Sequence, residues 1–519
     1  MATTTKSVKV PLARVWSQAE GGTIHRTLAW GDRVDFVKRD GKNLVVDSRS
    51  FEEQPDGTVT SIPVRGYIRH DGETTDTILA PATHKVLAVD FVDVQQGDAA
   101  VVESPKGAVM LIDGGENQLF ARYLANRFAG SSAGAPREID TIVVSHGDAD
   151  HFAGLPKILD SENDSRRRKR LFIDPRRVFH NGLAKGPSSL RDVEMFGATE
   201  DVNGRPYIID LVDDLRTLPP ARLNTPFRAW KSTLEKYGQR AQAAGKTLVM
   251  ERLERGSPAK FPSFMTENIR IDVLAPITVP VATAGGQKPG LPFLAKPRKK
   301  LSSVDADTFG SPSASHTVNG HSVVLRLTYG KCRILFTGDL NEESENMLIA
   351  ADAAGTSSLE SDVLKVPHHG SADYLPGFLK AVGALISVVS SGDESAQKEY
   401  IHPRATLVGG LGRHSRVDDP LIFVTELVAF FAKEGYVGED WHEMTAEGTT
   451  AVSRKIDVVD IPTRKKFFGF SRSAFGTVHL RTDGNQLLVY TDSALVDMKE
   501  AYRFDLTKTP PKLESVDAI

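Results

Sequence analysis

The sequence predicts an α/β protein in which a small all-β domain precedes a large α/β domain. Residues 10–85 hold short runs of alternating apolar and polar residues, and Gly-Asp or Asp-Gly turns separate them. From Lys85 onward the apolar runs lengthen and alternate with helical stretches, which indicates buried strands. A dense group of histidines and aspartates follows one of these strands, and this group predicts where the chemistry of the large domain lies.

The composition excludes several classes of protein. The chain has 519 residues with 64 Lys and Arg against 67 Asp and Glu, so its formal net charge is −3. A charge near zero gives no overall attraction to nucleic acid or anionic membranes, and such a partner would need a local basic patch. No apolar run approaches the ~20 residues of a membrane-spanning helix, and the N-terminus lacks the apolar core of a secretory signal. The single cysteine, Cys332, favours a reducing compartment, so we expect a cytoplasmic protein without a membrane span.

Residues 1–84 form the predicted all-β domain. The segment WGDRVDFVKRDGKNLVV, followed by VRGYIR, resembles bacterial SH3-like barrels, in which a Gly-Asp strand precedes a Gly-Tyr-Ile strand. The resemblance implies contact with a peptide, a cell-wall fragment or a second protomer, and the composition does not choose among these partners.

Residues 85–519 form the predicted α/β domain, and two segments interrupt it. The segment 161–262 is polar and includes a helical stretch, whereas 280–318 is rich in Gly, Pro, Ser and Lys. We interpret both as insertions, the second as a loop. A C-terminal β-hairpin around the Asp483-Gly484 turn is expected to close the domain.

Four candidate metal ligands occupy six consecutive positions directly after the predicted strand Thr141–Ser145. Imidazole and carboxylate groups suit zinc or manganese, and this spacing can direct His146 with Asp148 at one ion and Asp150 with His151 at another. The alternative is that these side chains only solvate a loop and cap the following helix. The density of ligands favours a two-metal site.

The order of motifs resembles that of the metallo-β-lactamase superfamily, and within it the soluble domain of ComEC-like competence proteins. The H-x-D-x-D-H signature of that branch is matched by His146, Asp148, Asp150 and His151. Further matching motifs between residues 90 and 405 are Asp93–Ala99, Leu111–Gly115, Thr337–Asp339, His368–Ser371 and His402–Pro403. The resemblance implies a bacterial origin and a metallo-β-lactamase αββα sandwich with its metal site at the strand ends.

The same resemblance implies roles for individual residues. Asp339 matches the aspartate that bridges two ions, and its alternative role is a helix N-cap. His369 is the expected ligand of the second ion, with adjacent His368 as its competitor. Asp113 is expected to orient a histidine ligand, because such ligands usually donate their second N–H to a carboxylate or carbonyl. His402 either contacts the substrate or leaving group or is an ordinary loop residue.

Two features depart from the family pattern. Gln95 stands where the family has glycine, which matters if that backbone needs a positive φ. Superfamily members with a full two-metal site supply a third-motif histidine, whereas ComEC-like members often have Asn and Ser there. This chain has two candidate histidines, His316 and His321, beside Asn319 and Ser322, and either histidine or neither completes the first metal site.

The predicted site favours hydrolysis by water. Two divalent ions, Zn or Mn, lower the pKa of bound water to about 7 and stabilise charge on the leaving oxygen. Asp150, Asp339 and His402 are therefore our candidate catalytic residues. A cysteine nucleophile is not supported, because Cys332 lies within a predicted strand.

The ComEC-like resemblance implies a phosphodiesterase or nuclease acting on nucleic acid, which is our first hypothesis. A basic run supplies candidate phosphate contacts, unless it is only a solvated loop: Arg166, Arg167, Arg168 and Arg170. One alternative is hydrolysis of a small ester, lactone or amide, because a metal motif does not name a substrate. Another is a metal-binding interaction module without activity.

Overall fold

The structure is a computed structural model, and it describes most of the chain. The described residues are 4–54, 59–70, 75–82, 85–257, 260–295, 312–392, 402–425, 441–445, 448–452, 476–491, 501–516 and 518.

The N-terminal residues form one antiparallel sheet, as the alternating pattern predicts. Its elements are β1 (Thr4–Val8), β2 (Leu12–Trp16), β3 (Ile24–Ala29), β4 (Arg33–Asp40), β5 (Asn43–Glu53), β6 (Val59–Ile68), α1 (Thr75–Ile78) and β7 (Leu79–Pro81). The strands are hydrogen-bonded in the order β3-β2-β6-β5-β4-β1-β7. Alternate apolar side chains of these strands pack into a core of their own, which includes Val15, Val34 and Val46. The prediction of an SH3-like barrel stays a prediction.

The first half of the large domain alternates strands and helices. It comprises β8 (Leu87–Phe91), β9 (Ala99–Glu103), β10 (Val109–Asp113), α2 (Leu119–Arg127), β11 (Arg137–Ile139), β12 (Thr141–Val143), α3 (Ala149–Phe152), α4 (Leu155–Ser161), β13 (Ile173–Pro175), β14 (Arg177–His180), β15 (Thr199–Val202), β16 (Arg205–Ile208), α5 (Thr225–Ala243), β17 (Val249–Arg252) and α6 (Pro262–Met265).

The second half continues this pattern and ends in strands. It comprises β18 (Ile269–Ala275), β19 (Val279–Thr283), β20 (Gly286–Pro292), α7 (Ala314–Gly320), β21 (Val324–Tyr329), β22 (Cys332–Phe336), α8 (Glu342–Ala353), β23 (Val363–Lys365), α9 (Pro376–Val382), β24 (Ile386–Val389), α10 (Ala405–Arg413), β25 (Leu421–Val424), β26 (Trp441–Thr445), β27 (Gly448–Val452), β28 (Val478–Thr482), β29 (Gln486–Thr491), β30 (Ala501–Asp505) and β31 (Lys512–Ser515).

Two large sheets carry the domain. One has ten strands in the order β17-β14-β12-β10-β9-β8-β28-β29-β30-β31, and the other has six in the order β18-β21-β22-β23-β24-β25. Successive side chains of a strand point to opposite faces. In β10, Met110 packs into the core that both sheets share, whereas Leu111 packs into the core beneath α2, α4 and α5. In β22, Ile334 faces the shared core and Leu335 the core beneath α8, α9 and α10.

These layers are helix, sheet, sheet, helix, which confirms the predicted αββα sandwich. The C-terminal strands β28 and β29 form the expected hairpin, and β28 pairs with β8 in the ten-stranded sheet. The N-terminal sheet packs on this end of the sandwich, where Leu12 and Ala29 share a small core with Leu488, Tyr490 and Ala501.

The two predicted insertions contain more regular structure than their composition indicates. The segment 161–262 contributes β14 and β17 to the ten-stranded sheet, so part of it belongs to the sandwich itself. The segment 280–318 contains β20, most of β19 and the start of α7, while residues 296–311 lie outside the described residues. These strands have only four to seven residues, which is why the sequence pattern misses them.

Within the described ranges, none of the helices combines the length and the apolar character needed to span a membrane.

Candidate metal centre

The predicted ligands meet where strands of both large sheets end. Asp113 is the last residue of β10, and His146 follows β12 in the same sheet. Asp339 follows β22 and His369 follows β23, both in the six-stranded sheet. Strand ends of the two packed sheets therefore bring residues from distant parts of the chain to one buried place.

Three histidines have one ring nitrogen held by the protein. Nδ1 of His151 lies 3.0 Å from Oδ2 of Asp113, and Nδ1 of His369 lies 2.9 Å from the carbonyl oxygen of Ser390. Nδ1 of His146 lies 3.3 Å from the hydroxyl of Ser322. This arrangement fixes each ring and leaves its Nε2 for another partner, as in histidine ligands of metals.

The three Nε2 atoms face the carboxylate of Asp339. Its Oδ2 lies 3.2 Å from Nε2 of His151, 3.2 Å from Nε2 of His369 and 4.0 Å from Nε2 of His146. Oδ2 of Asp150 is also 3.3 Å from Nε2 of His369. In the described part of the chain, the three Nε2 atoms and Oδ1 of Asp339 are buried without a well-aligned hydrogen bond. Such orphaned donors and acceptors are costly unless a ligand satisfies them.

Opposite charges dominate the electrostatics of the site. Burial lowers the pKa of His151, but the Asp339, Asp98 and Asp113 carboxylates outweigh burial and raise this pKa well above its usual value. His369 behaves likewise, because Asp339 and Asp150 also outweigh its burial. Burial raises the pKa of Asp339, yet the two histidines bring it well below its usual range. The carboxylate is therefore ionised at neutral pH, as a metal ligand must be.

His146 and Asp150 complete the group. Burial and the neighbouring His151 lower the pKa of His146 well below its usual value, so its ring is neutral and able to ligate. Burial raises the pKa of Asp150, but His151 and His369 outweigh it, and the pKa is lowered.

Asp98 is a site residue that the sequence reasoning missed, although it stands in the Asp93–Ala99 motif. It contacts the Nδ1 edges of His151 and His369, at 3.7 Å and 3.4 Å, and its Oδ2 pairs with the buried ammonium of Lys365. Ligand atoms of Asp98, His151, Asp339 and His369 all lie within 4.8 Å of one another. Asp98 contacts the Nδ1 edge of each ring, whereas Asp339 contacts Nε2, and the ammonium of Lys365 offsets the charge of Asp98. Asp98 is therefore placed to orient the histidine rings.

Two backbone positions bring the Asp98 loop against the ligands. Gly97 has a φ of 109°, and a Cβ there would lie 1.9 Å from the carbonyl oxygen of Asp150, so only glycine allows this approach. Gln95, which replaces a family glycine, has a φ of 64°. Its N–H donates to Oδ1 of Asp93 at 3.0 Å, and this local hydrogen bond supports the left-handed backbone.

Asp148 is placed differently from the other predicted ligands. Its Oδ1 pairs with the ammonium of Lys185, and its Oδ2 accepts from the Asn319 amide at 2.8 Å in the amide orientation that satisfies both groups. Burial raises the pKa of Asp148, and Lys185 opposes this shift. Asp148 occupies the N-cap position of α3, but its side chain makes no capping hydrogen bond.

The third-motif histidines pair elsewhere. Nε2 of His321 lies 2.8 Å from the carbonyl oxygen of Pro292, and Nε2 of His316 lies 3.7 Å from Asp373. The residues of this motif that reach the site are Asn319, which donates to Asp148, and Ser322, whose hydroxyl also accepts from the backbone N–H of Asp339 at 3.0 Å. The N-cap of the helix after Asp339 is Asn341, so the capping interpretation of Asp339 is wrong.

The remaining candidates lie around the centre. The structure brings His369 rather than His368 to Asp339, and the ring of His368 lies 6.2 Å from that of His402. Burial and the neighbouring histidines lower the pKa of His402 to about 4. Cys332 lies in β22, where burial raises the pKa of its thiol.

The predicted basic run is not part of this cluster. Arg166, Arg167 and Arg168 are exposed on a turn beyond the end of α4, and Nε of Arg170 donates to the carbonyl oxygen of Asp164. In the residues that the structure describes, no hydrogen bond or ion pair joins these four arginines to the ligand group.

The donor set of imidazole nitrogens and carboxylates fits a divalent ion such as zinc or manganese. His151, His369, Asp150 and Asp339 supply ligand atoms that already face one another, and the orphaned Nε2 atoms lack any other partner in the described ranges.

Comparisons with known proteins find a family model, a relative and a solved structure that are similar to this chain. Residues 92–216 match the family model of the metallo-β-lactamase superfamily. The chain is 37% identical over 97 residues to competence protein ComA of Neisseria gonorrhoeae, a match that spans 18% of the chain and 13% of that relative's length. A crystal structure described as a metal-dependent hydrolase of the β-lactamase superfamily matches 65% of the chain and 95% of its own, with 15% identity and a TM-score of 0.30. Residues 92–216 therefore resemble a domain of the metallo-β-lactamase superfamily.

Proposed function

We propose that this protein is a metal-dependent phosphodiesterase that cleaves nucleic acid. One observation supports the proposal most strongly. The buried Nε2 atoms of His146, His151 and His369 face the carboxylate of Asp339, and none of them makes a well-aligned hydrogen bond with the described residues. Their contacts with Asp339 and Asp150 leave these atoms incompletely paired, and incompletely paired buried polar atoms destabilise a fold. A bound divalent ion would pair with these atoms and offset the free energy lost on burying them.

The residues of the centre have separate roles in the proposed reaction. When bound, a divalent ion supplies polarisation of the attacked phosphoryl group and activation of water near neutral pH. Asp339 and Asp150 stay ionised and hold the ion, and Asp113 keeps His151 in the tautomer that presents Nε2. His402 is neutral at neutral pH because its pKa is about 4, so its ring donates a hydrogen bond to the leaving-group oxygen rather than a full proton.

A nucleic-acid substrate is supported by the relative and by charge. The matched relative is described as a competence protein, and the family resemblance of the motifs implies nuclease-type activity. The exposed Arg166–Arg168 turn begins five residues after the end of α4, and we propose that a long polyanion bound at the site extends to it. A small ester, lactone or amide would not need this turn.

The test is hydrolysis by purified protein stripped of metal and reloaded with Mn²⁺ or Zn²⁺. Single-stranded DNA, RNA and bis-p-nitrophenyl phosphate are the substrates, with small lactones and esters as the competing class. Asp339→Asn is the inactive variant, and Asp160→Asn, an exposed carboxylate on α4, is the matched control. Metal-dependent cleavage of phosphodiesters that only Asp339→Asn abolishes supports the proposal, while hydrolysis confined to lactones or esters contradicts it.

The N-terminal sheet has its own proposed role. We propose that it binds a peptide or a second protomer, as its SH3-like pattern indicates. Removal of residues 1–84 with unchanged cleavage of short substrates and lost self-association would support the second partner.

A further inference from the structure

Asp148, the second residue of the H-x-D-x-D-H motif, is engaged by protein donors on both oxygens. Oδ1 pairs with the ammonium of Lys185, and Oδ2 accepts from Asn319. The Lys185 side chain is 17% exposed and that of Asp148 is 24% exposed, so the pair is largely removed from solvent. Both oxygens of this carboxylate are therefore engaged by protein donors, and the ammonium offsets its negative charge.

The backbone fixes Lys185 in this position. The carbonyl oxygen of Lys185 accepts from the N–H of Asn224 at 2.9 Å, which ties the loop to the start of α5. Two residues earlier, buried Leu183 packs in a small core, and its N–H donates to Oδ1 of Asn181 at 3.0 Å. Asn181 in turn donates to the carbonyl oxygen of His321 at 3.0 Å. The backbone that carries Lys185 is therefore anchored on both sides of this residue.

The third-motif histidines do not contribute to the first metal position, whose ligand candidates are His146, Asp148 and Asp339. His316 and His321, the third-motif candidates, pair with Asp373 and with Pro292. Nε2 of His146 is 4.0 Å from Asp339, farther than the 3.2 Å of His151 and His369. An ammonium beside this position repels a divalent ion and supplies a positive charge of its own.

We propose that the centre binds one divalent ion, at Asp150, His151, Asp339 and His369, and that the Lys185 ammonium takes the place of a second ion. The proposal rests on the proposed function and revises the two-ion expectation of the sequence motif. The fixed ammonium would face an anionic substrate, as the second ion does in two-metal sites.

The metal content of the purified protein measures the number of bound ions directly and does not depend on activity. The protein is stripped, reloaded with excess Mn²⁺ or Zn²⁺, desalted, and analysed by elemental mass spectrometry. We expect one equivalent in the wild type and in Lys185→Arg, which keeps the charge, and two equivalents in Lys185→Met, which frees Asp148. Two equivalents in the wild type, or one in folded Lys185→Met, would overturn the proposal.

A second variant keeps the test decisive if Lys185→Met does not fold. Asp148→Asn should still bind one equivalent, with a Kd within about threefold of the wild type, because Asp148 is not a ligand of the resident ion. Loss of that equivalent overturns the proposal. Absence of phosphodiester cleavage by a protein that binds one equivalent contradicts the proposed function and leaves this inference standing.

Discussion

Oδ2 of Asp339 lies 3.2 Å from Nε2 of His151, although the two residues come from opposite sheets of the sandwich. His151 belongs to α3 after β12 of the ten-stranded sheet, and Asp339 follows β22 of the six-stranded sheet. The candidate metal centre therefore exists only when the two sheets are packed, so metal binding should stabilise the whole sandwich.

Asp339→Asn should remove the resident ion. The carboxamide loses the negative charge that the Nε2 atoms of three imidazole rings face, so we expect the metal Kd to rise by more than about 100-fold, beyond the effect usual for residues outside the ligand shell. Isothermal titration with Zn²⁺ measures this change. Asp160→Asn, far along α4, should bind as the wild type does, and an Asp339→Asn variant with unchanged Kd would show that the ion lies elsewhere.

Asp113→Asn should weaken metal binding without abolishing it. Asp113 is 1% exposed and holds Nδ1 of His151, while its Oδ1 accepts from the N–H of Ser145 at 2.7 Å. Loss of an orienting carboxylate typically raises the metal Kd by about 10- to 100-fold. Competition with a chromogenic chelator measures the Kd. An effect as large as that of Asp339→Asn would mean that Asp113 ligates directly.

Metal binding at pH 7 should release about two protons, because ligand imidazoles must be deprotonated. The neighbouring carboxylates raise the pKa of His151 and of His369 well above 6.5, so both are protonated in the metal-free protein at pH 7. Metal affinity should accordingly rise with pH until those raised pKa values are passed.

Calorimetric titrations in buffers of different ionisation enthalpy count the released protons. His369→Gln should reduce the count by about one. His25→Gln, at an exposed histidine of the N-terminal sheet, should leave it unchanged. Binding enthalpies that do not depend on the buffer would contradict the assigned protonation states.

Local patterns predicted the buried strands and the loop of ligands, and the family resemblance implied the αββα layers. Buried strands read as long apolar runs, and the H-x-D-x-D-H spacing places ligands on one loop. Asp98 and Ser322 were missed because their roles arise from contacts across sheets, and a single sequence does not show which strands meet. Lys185 was missed for another reason, since it lies in a segment whose polar composition resembles an insertion.

The buried ion pair between Lys365 and Asp98 should be essential to the metal-free fold. Both residues are at most 5% exposed, and Nζ of Lys365 also donates to the carbonyl oxygen of Gly338 at 3.1 Å. Removing one partner of such a pair leaves an uncompensated charge and costs about 3–5 kcal/mol. Denaturant unfolding in chelator should show this loss for Lys365→Met. The double variant Lys365→Met/Asp98→Leu should lose less than the sum of the single variants, and strict additivity would show that the pair contributes little.

Glu345 on α8 should destabilise the protein at neutral pH. It is fully buried, its Oε2 accepts from the N–H of Leu375 at 2.5 Å, and its Oε1 has no hydrogen-bond partner in the described part of the chain. Burial raises its pKa well above 4.5, and Asp373 and Glu342 add to this shift. A carboxyl group with a raised folded-state pKa stabilises the fold below its unfolded pKa and loses that contribution as pH rises through the folded value.

Glu345→Gln should therefore be more stable than the wild type at pH 8, by about 1 kcal/mol or more, the order of cost of one buried unsatisfied polar group. The difference in Tm between variant and wild type should shrink as pH falls toward 4.5, where the wild-type carboxyl is protonated in the folded state and half protonated in the unfolded chain. Thermal unfolding at several pH values between 4.5 and 8 measures it. Glu343→Gln, at the partly exposed neighbour that pairs with Arg205, separates this effect from a general loss of charge on α8. A Tm difference that does not vary with pH would mean that Glu345 is not the group that titrates.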